Sequence, residues 1–145
     1  MTLMDAPKYI VILQCHIVKE RCSGYFCEES FTKRLGAFSI YPKDAPIRYI
    51  SFTCGGCCGR ATLRKLSNFL KNLKKNDNLS ADDVVLHFSS CICRENFHGP
   101  VCPHYGYLKQ LVERKNIKWL EGTRISETAR SRRDSAGKWS RKNQK

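Results

Sequence analysis

Cysteines occur in three groups along the chain, and each group follows a segment that is predicted to form a strand. Cys15 comes directly after the apolar run 9–13, Cys54 follows the run 47–53, and Cys91 follows the run 84–88. Nine cysteines in 145 residues is a high count. Thiolates and imidazoles are the ligands that zinc and iron–sulfur clusters prefer, whereas calcium and magnesium prefer oxygen. The residues therefore predict metal binding or thiol chemistry.

The predicted ligands come from all three groups and include one histidine. Cys54 and Cys57 form a Cys-x-x-Cys pair, and the two glycines between them let the backbone turn tightly and approach an ion or cluster. A Cys-x-x-Cys pair occurs in zinc sites and in redox sites alike, so its spacing does not choose between them. The predicted metal ligands are Cys15, Cys22, Cys27, Cys54, Cys57, Cys58, Cys91, Cys93, Cys102 and His104.

Several of these residues also have a simpler interpretation. Cys22 and Cys27 are either free thiols on a loop or partners that complete a site begun by Cys15. His98 is a weaker candidate than His104, and His16 fits a capping or solvent-facing role as well. His87 lies inside a predicted strand, so it is predicted to be a hydrogen-bonded core residue outside the site.

The predicted elements that position the cysteines alternate regularly between strands and helices. The strands are expected at 9–13, 47–53, 84–88 and 117–120, and the helices at 28–35, 60–75 and 107–115. Right-handed crossovers turn this order into a small α/β fold, a doubly wound, flavodoxin-like or Rossmann-like parallel sheet of about four strands with helices on both faces. Functional loops of such sheets collect beyond the carboxyl ends of the strands, where all nine cysteines are expected.

Charge is concentrated at the end of the chain. The formal net charge is +13, and residues 124–145 contain eight basic and only two acidic side chains. We therefore expect one Cys- and His-rich domain at 1–123 and a basic, disordered tail at 124–145. Nucleic-acid or adaptor binding through this tail is a minority hypothesis.

The cellular compartment is predicted from the first residues of the chain and from the cysteine count. The first eight residues lack a basic signal-peptide start, and the run 9–13 is too short to span a membrane. An odd number of cysteines also argues against a complete disulfide framework. The prediction is a cytoplasmic protein with reduced thiols and no membrane partner.

Four motifs in order carry a family resemblance. Cys15 after the first strand, Cys54-Gly55-Gly56-Cys57 after the second, Ser90-Cys91 after the third, and Cys102-Pro103-His104 before a helix resemble the CGGC domain family over residues 9–123. The resemblance implies a metal-binding, zinc-type domain with no established reaction. It implies ligand roles for Cys15, Cys54, Cys57, Cys91, Cys102 and His104. The chain departs from the short pattern by adding Cys22, Cys27, Cys58 and Cys93, which leaves ligand and metal number open.

Two chemical functions therefore compete. The leading hypothesis is a metal-binding protein that holds Zn²⁺ or, as the alternative, an iron–sulfur cluster. The second hypothesis is a thiol redox enzyme or sensor, in which Cys54 or Cys57 reacts with a redox partner protein. Whether the chain catalyses any reaction stays open at this stage.

Overall fold

Four parallel strands form a single sheet. The computed structural model describes residues 7–20, 22–55, 59–93 and 102–123. Strand β1 is Tyr9–Gln14, β2 is Arg48–Thr53, β3 is Val84–Phe88 and β4 is Lys118–Glu121. All pairings are parallel and the strand order is β2-β1-β3-β4. This order is that of flavodoxin-like doubly wound sheets, in which the direction of winding reverses between β1 and β3.

Helices cover both faces of the sheet. Helix α1 is Tyr25–Lys33, α2 is Arg60–Asn72, α3 is the short turn Ser90–Cys93, and α4 is Tyr105–Arg114. Helix α1 packs on one face, while α2 and α4 pack together on the other. The predicted α/β class, with a four-stranded parallel sheet between helices, is confirmed.

Strand β1 lies at the centre of the sheet because its side chains are apolar on both sides. Val11 and Leu13 belong to the core under α2 and α4, whereas Ile10 and Ile12 belong to the core under α1. Successive strand residues point to opposite faces, so an unbroken apolar run fits a strand that is covered twice. Five of its six residues are apolar, and all six are buried.

The bounds of α1 differ from the predicted ones because single residues beside the helix adopt a left-handed backbone conformation. Helix α1 begins at Tyr25 rather than at residue 28, because Gly24 adopts a left-handed conformation with φ of 85° immediately before it. It ends at Lys33 because Arg34 is also left-handed, with φ of 55°. Helix α2 ends at Asn72, and a π-helical turn follows at Leu73–Asp77.

The expectation that all nine cysteines lie in loops is wrong for three of them. Cys27 lies inside α1, and Cys91 and Cys93 lie inside α3. The reason for Cys27 is the early start of α1 at Tyr25, which draws the second half of the expected loop into the helix. The reason for the other two is that the chain coils into a single helical turn directly after Ser89.

His87 has the core role that its position in a strand predicts. It is fully buried, and its Nδ1 lies 3.0 Å from the Gly122 carbonyl oxygen, which only accepts. Nδ1 therefore donates, and Nε2 accepts from the Tyr41 hydroxyl at 2.8 Å. Burial lowers the pKa of His87 to about 4, although the bond to Gly122 acts in the opposite direction. A neutral, doubly hydrogen-bonded imidazole results.

Some predicted features lie outside the described residues. They include Cys57, Cys58 and His98, as well as the basic tail at 124–145. Among the residues that are described, no helix is both long enough and apolar enough to cross a membrane.

Candidate functional site

The carboxyl ends of β1, β2 and β3 bring the three cysteine groups to one edge of the sheet. Cys15 directly follows β1 and Cys54 directly follows β2. Cys91 lies three residues after the end of β3, in α3. The gap between β1 and β3 is the point at which the winding of the sheet reverses, and ligands of open α/β sheets bind at such points.

Cys91 and Cys15 meet across this gap. The backbone N–H of Cys15 donates to the sulfur of Cys91 at 3.4 Å. The hydroxyl oxygen of Ser89 lies 2.7 Å from the same sulfur, and either atom can be the donor. Two neighbouring strands and their first following residues therefore fix the position of the Cys91 sulfur.

Cys27 also belongs to this group of thiols. The pKa of Cys91 is raised to about 11, mainly by burial; hydrogen bonds with Ser89 and the Cys15 backbone act to lower it, and negative charge on Cys15 and Cys27 acts to raise it. The three thiols are thus close enough for their charges to interact. We call Cys15, Cys27 and Cys91 the thiol cluster.

Thr123 connects Cys27 to the rest of the edge. Its hydroxyl oxygen lies 3.2 Å from the sulfur of Cys27 and accepts from the backbone N–H of Ser90 at 3.4 Å. The backbone N–H of Thr123 donates to the Ser90 hydroxyl at 3.2 Å. Helix α1 is therefore tied to the start of α3 through a single buried threonine.

Cys54 is held at the end of β2 by backbone contacts. Its N–H donates to the Gln14 carbonyl at 2.9 Å, and its own carbonyl accepts from the Thr62 hydroxyl at 3.0 Å. The next residue, Gly55, has φ of 75°, and a Cβ there would lie 2.2 Å from the Ala61 Cβ. Only glycine fits this position, so the predicted close turn after Cys54 has a steric cause in the first turn of α2.

The remaining described candidates are positioned by other contacts. Cys93 is buried in the core under α2 and α4, where its sulfur donates to the Phe88 carbonyl at 3.5 Å. Cys102 packs against the same core, and its N–H donates to the Ile92 carbonyl at 2.9 Å. Cys22 follows the short helical turn Val18–Glu20, and His104 is the exposed residue before α4.

A complete metal cage is not formed by the described side chains alone. Within 7–20, 22–55, 59–93 and 102–123, no group of three or more Cys, His, Asp or Glu side chains is arranged to hold a metal ion. The thiol cluster therefore does not close a coordination sphere among the described residues.

Three polar residues at this edge were missed by sequence reasoning. Gln14 ends β1 and is buried, Ser89 contacts the Cys91 sulfur, and Thr123 contacts Cys27. A signal existed for Gln14, because a polar residue ends an apolar strand directly before Cys15. Thr123 has no such signal, since it lies 96 residues from Cys27.

The fold and this edge define a class of protein, a doubly wound α/β domain that collects cysteines at the point where its winding reverses. The sequence profile of the CGGC domain family matches residues 9–124, and the chain therefore belongs to the CGGC domain family. No curated protein and no solved structure matches the chain.

Proposed function

We propose that this chain binds a metal ion at the carboxyl edge of its sheet, with Zn²⁺ as the first choice and an iron–sulfur cluster as the alternative. Because no three described side chains are already arranged around an ion, binding would draw the thiol cluster and the Cys54-Gly55-Gly56-Cys57 segment together as its ligands. Thiolate sulfur is the ligand type that these metals select.

One observation carries this proposal: the Cys15 backbone N–H contacts the Cys91 sulfur at 3.4 Å, and the charges of Cys15 and Cys27 both act to raise the pKa of Cys91. Bringing thiols together has a cost, because each negative charge disfavours the next. A bound cation reverses that balance, since it attracts all of the thiolates at once and stabilises the folded chain that gathers them.

The sequence predicts further ligands. Cys22, Cys58, Cys102 and His104 remain predicted ligands for a second ion or for completing the first. We assign Cys93 a packing role instead, because its sulfur is buried in the core and donates to a strand carbonyl.

Thiol redox chemistry is the second candidate function. The observation that favours it is the lack of a metal-holding group among the described side chains. In this reaction the thiolate of Cys54 or Cys57 attacks a disulfide of a partner protein and forms a mixed disulfide. The other cysteine then releases the partner as a dithiol and leaves a disulfide in this chain, so that two electrons pass to the partner.

The test is elemental analysis and an ultraviolet–visible spectrum of full-length protein purified without oxygen. We expect about one equivalent of zinc, or absorption near roughly 400 nm if a cluster is bound. Cys15→Ala and Cys91→Ala should lose most of the metal. Cys93→Ala is the matched control, because it removes a cysteine that we assign to the core.

Either of two results would contradict the proposal. The first is wild-type protein that contains neither zinc nor iron while its thiols react as free groups, which would make redox chemistry the leading function. The second is a Cys91→Ala variant that folds and retains the wild-type metal content. Circular dichroism of each variant separates loss of ligand from loss of fold.

A further inference from the structure

An open cavity of about 360 Å³ lies on the α1 face of the sheet, beside the thiol cluster. Its wall includes Cys27, whose sulfur contacts Thr123. Gln14, at the end of β1, also lines it, as do Lys19 and residues at the start of α1. Cavities of this size hold small organic ligands.

Gln14 is the unusual residue of this cavity. It is only 4% exposed, and its side-chain amide makes no hydrogen bond with any part of the chain that the structure describes. Among the described residues, Ser30 Oγ is the only fully buried side-chain oxygen or nitrogen atom without a hydrogen bond, so the Gln14 amide reaches the open cavity rather than being sealed in the core. An amide that lines a cavity can obtain its partner from a molecule bound there.

Lys19 places a positive charge next to this amide. A Cβ built on Gly24 would lie 2.7 Å from the Lys19 Nζ and 3.1 Å from the Gln14 Nε2, so both nitrogens approach one point. Nζ donates one hydrogen bond, to the Ser23 carbonyl at 2.8 Å. An ammonium has three donors, which leaves two for a ligand.

The start of helix α1 adds to the positive electrostatic potential of the cavity. Its nine residues begin at Tyr25, and Gly24 before it provides no side-chain cap. The backbone N–H groups at a helix start favour negative charge. The Tyr25 N–H already donates to the Ser23 hydroxyl at 3.3 Å, so α1 contributes only its dipole, and the donors that converge are the Lys19 ammonium and the Gln14 amide.

The other side of the cavity limits the charge of the ligand. Glu28 lies on its wall, and its carboxylate accepts from the Thr32 hydroxyl. A second carboxylate near the ligand disfavours a multiply charged anion. The rings of Tyr25 and Tyr49, 59% and 36% exposed, provide apolar surface for the body of the ligand.

We propose that this cavity binds a small organic carboxylate, with its carboxyl group held between the Lys19 ammonium and the Gln14 amide and its apolar body against Tyr25 and Tyr49. This site is separate from the proposed metal ligands, except that Cys27 borders both. The binding does not depend on the metal proposal, because Lys19, Gln14 and Gly24 belong to no proposed metal site.

The test is a titration of the full-length, isotopically labelled protein followed by nuclear magnetic resonance of the Gly24 backbone amide and the Gln14 side-chain amide. The probes are sodium benzoate, sodium acetate and inorganic phosphate. Benzoate should shift both signals to saturation, acetate more weakly because it lacks an apolar body. Lys19→Met and Gln14→Glu should weaken benzoate binding about tenfold or more, because each removes a charge-assisted or direct hydrogen bond.

Lys33→Met is the matched control, because Lys33 is an exposed lysine on α1 that pairs with Glu29 away from the cavity. It should bind benzoate as the wild type does. Absence of saturable shifts, saturation by phosphate alone, or unchanged binding by a folded Lys19→Met variant would overturn the proposal. Zinc measured in the same samples tests the metal proposal separately, so each can fail without the other.

Discussion

The backbone N–H of Cys15 donates to the sulfur of Cys91 at 3.4 Å, across the gap between the two central strands. Strand register fixes this contact, since Leu13 pairs with Phe88 in the last pair of the β1–β3 ladder. The central relationship of the candidate site is therefore built by the sheet rather than by a loop.

Ser89→Ala should weaken zinc binding about tenfold. The Ser89 hydroxyl lies 2.7 Å from the Cys91 sulfur and helps to orient it, and removal of such supporting contacts lowers metal affinity by about 10- to 100-fold. Competition with a chromophoric chelator measures the affinity. Ser39→Ala, at an exposed position, should leave it unchanged. Equal affinities for the two variants would show that the hydroxyl does not support the site.

Gly55→Ala should lower the free energy of unfolding by about 2 kcal/mol or more. The position has φ of 75°, and the new Cβ would lie 2.2 Å from the Ala61 Cβ. Urea denaturation provides the measurement. Gly106→Ala is the control, because a Cβ there has no atom within 4 Å, and we expect it to stabilise α4 by about 0.5 kcal/mol. A Gly55→Ala variant as stable as the wild type would contradict the steric explanation.

Wild-type stability should fall between about pH 6.5 and pH 4 because of His87. In the unfolded chain this imidazole takes up a proton near pH 6.5, whereas burial holds its pKa at about 4 in the folded chain. The unfolded state therefore binds more protons in this window, and folding loses on the order of 3 kcal/mol as the pH falls. Above pH 6.5 this contribution is fully present.

His87→Gln should reduce that pH dependence while lowering stability at pH 7. Urea denaturation of both proteins at pH 7 and pH 4.5 measures the difference. Other titrating groups affect both proteins equally, so the difference between them reports His87. Parallel losses in the two proteins would rule out His87 as the cause.

Thr123→Val should destabilise the fold by about 1–2 kcal/mol. The substitution keeps the shape of the side chain but removes the hydroxyl that contacts the Cys27 sulfur and accepts from the Ser90 N–H. Thermal or urea unfolding measures the loss. Thr32→Val, which is exposed on α1, should change stability by less than about 0.5 kcal/mol. If both substitutions cost the same, Thr123 does not act as the connection.

The central elements of the fold could be predicted because their sequence patterns are simple. The continuous apolar run of β1 is typical of a strand that is buried on both faces. The leucines of α2 recur at the helical period, which is typical of a helix with one buried face. The boundaries of α1 could not be predicted, because they depend on left-handed backbone at Gly24 and Arg34. The role of Arg34 follows from tertiary contacts, in which its side chain donates to the Pro42 and Ala45 carbonyls.

The edge that carries the cysteines could also be predicted, but the contacts within it could not. The order of strands and cysteines brings Cys15, Cys54 and Cys91 to the carboxyl edge in any parallel sheet of this kind. Which thiols approach one another depends on the strand order and on the path of α1. Those features placed Cys27 in contact with Thr123, and no spacing in the sequence indicates a contact between residues so far apart.

The position of β1 between β2 and β3 also orders events during synthesis of the chain. Residues 9–53 can pair as a first unit while the ribosome still holds the rest, because β1, α1 and β2 are consecutive. The second neighbour of β1 is made more than thirty residues later, at Val84–Phe88. A nascent chain that ends before β3 thus exposes one side of β1 and lacks Cys91. Under the metal-binding proposal, delivery of the ion would follow the joining of the third strand to the sheet.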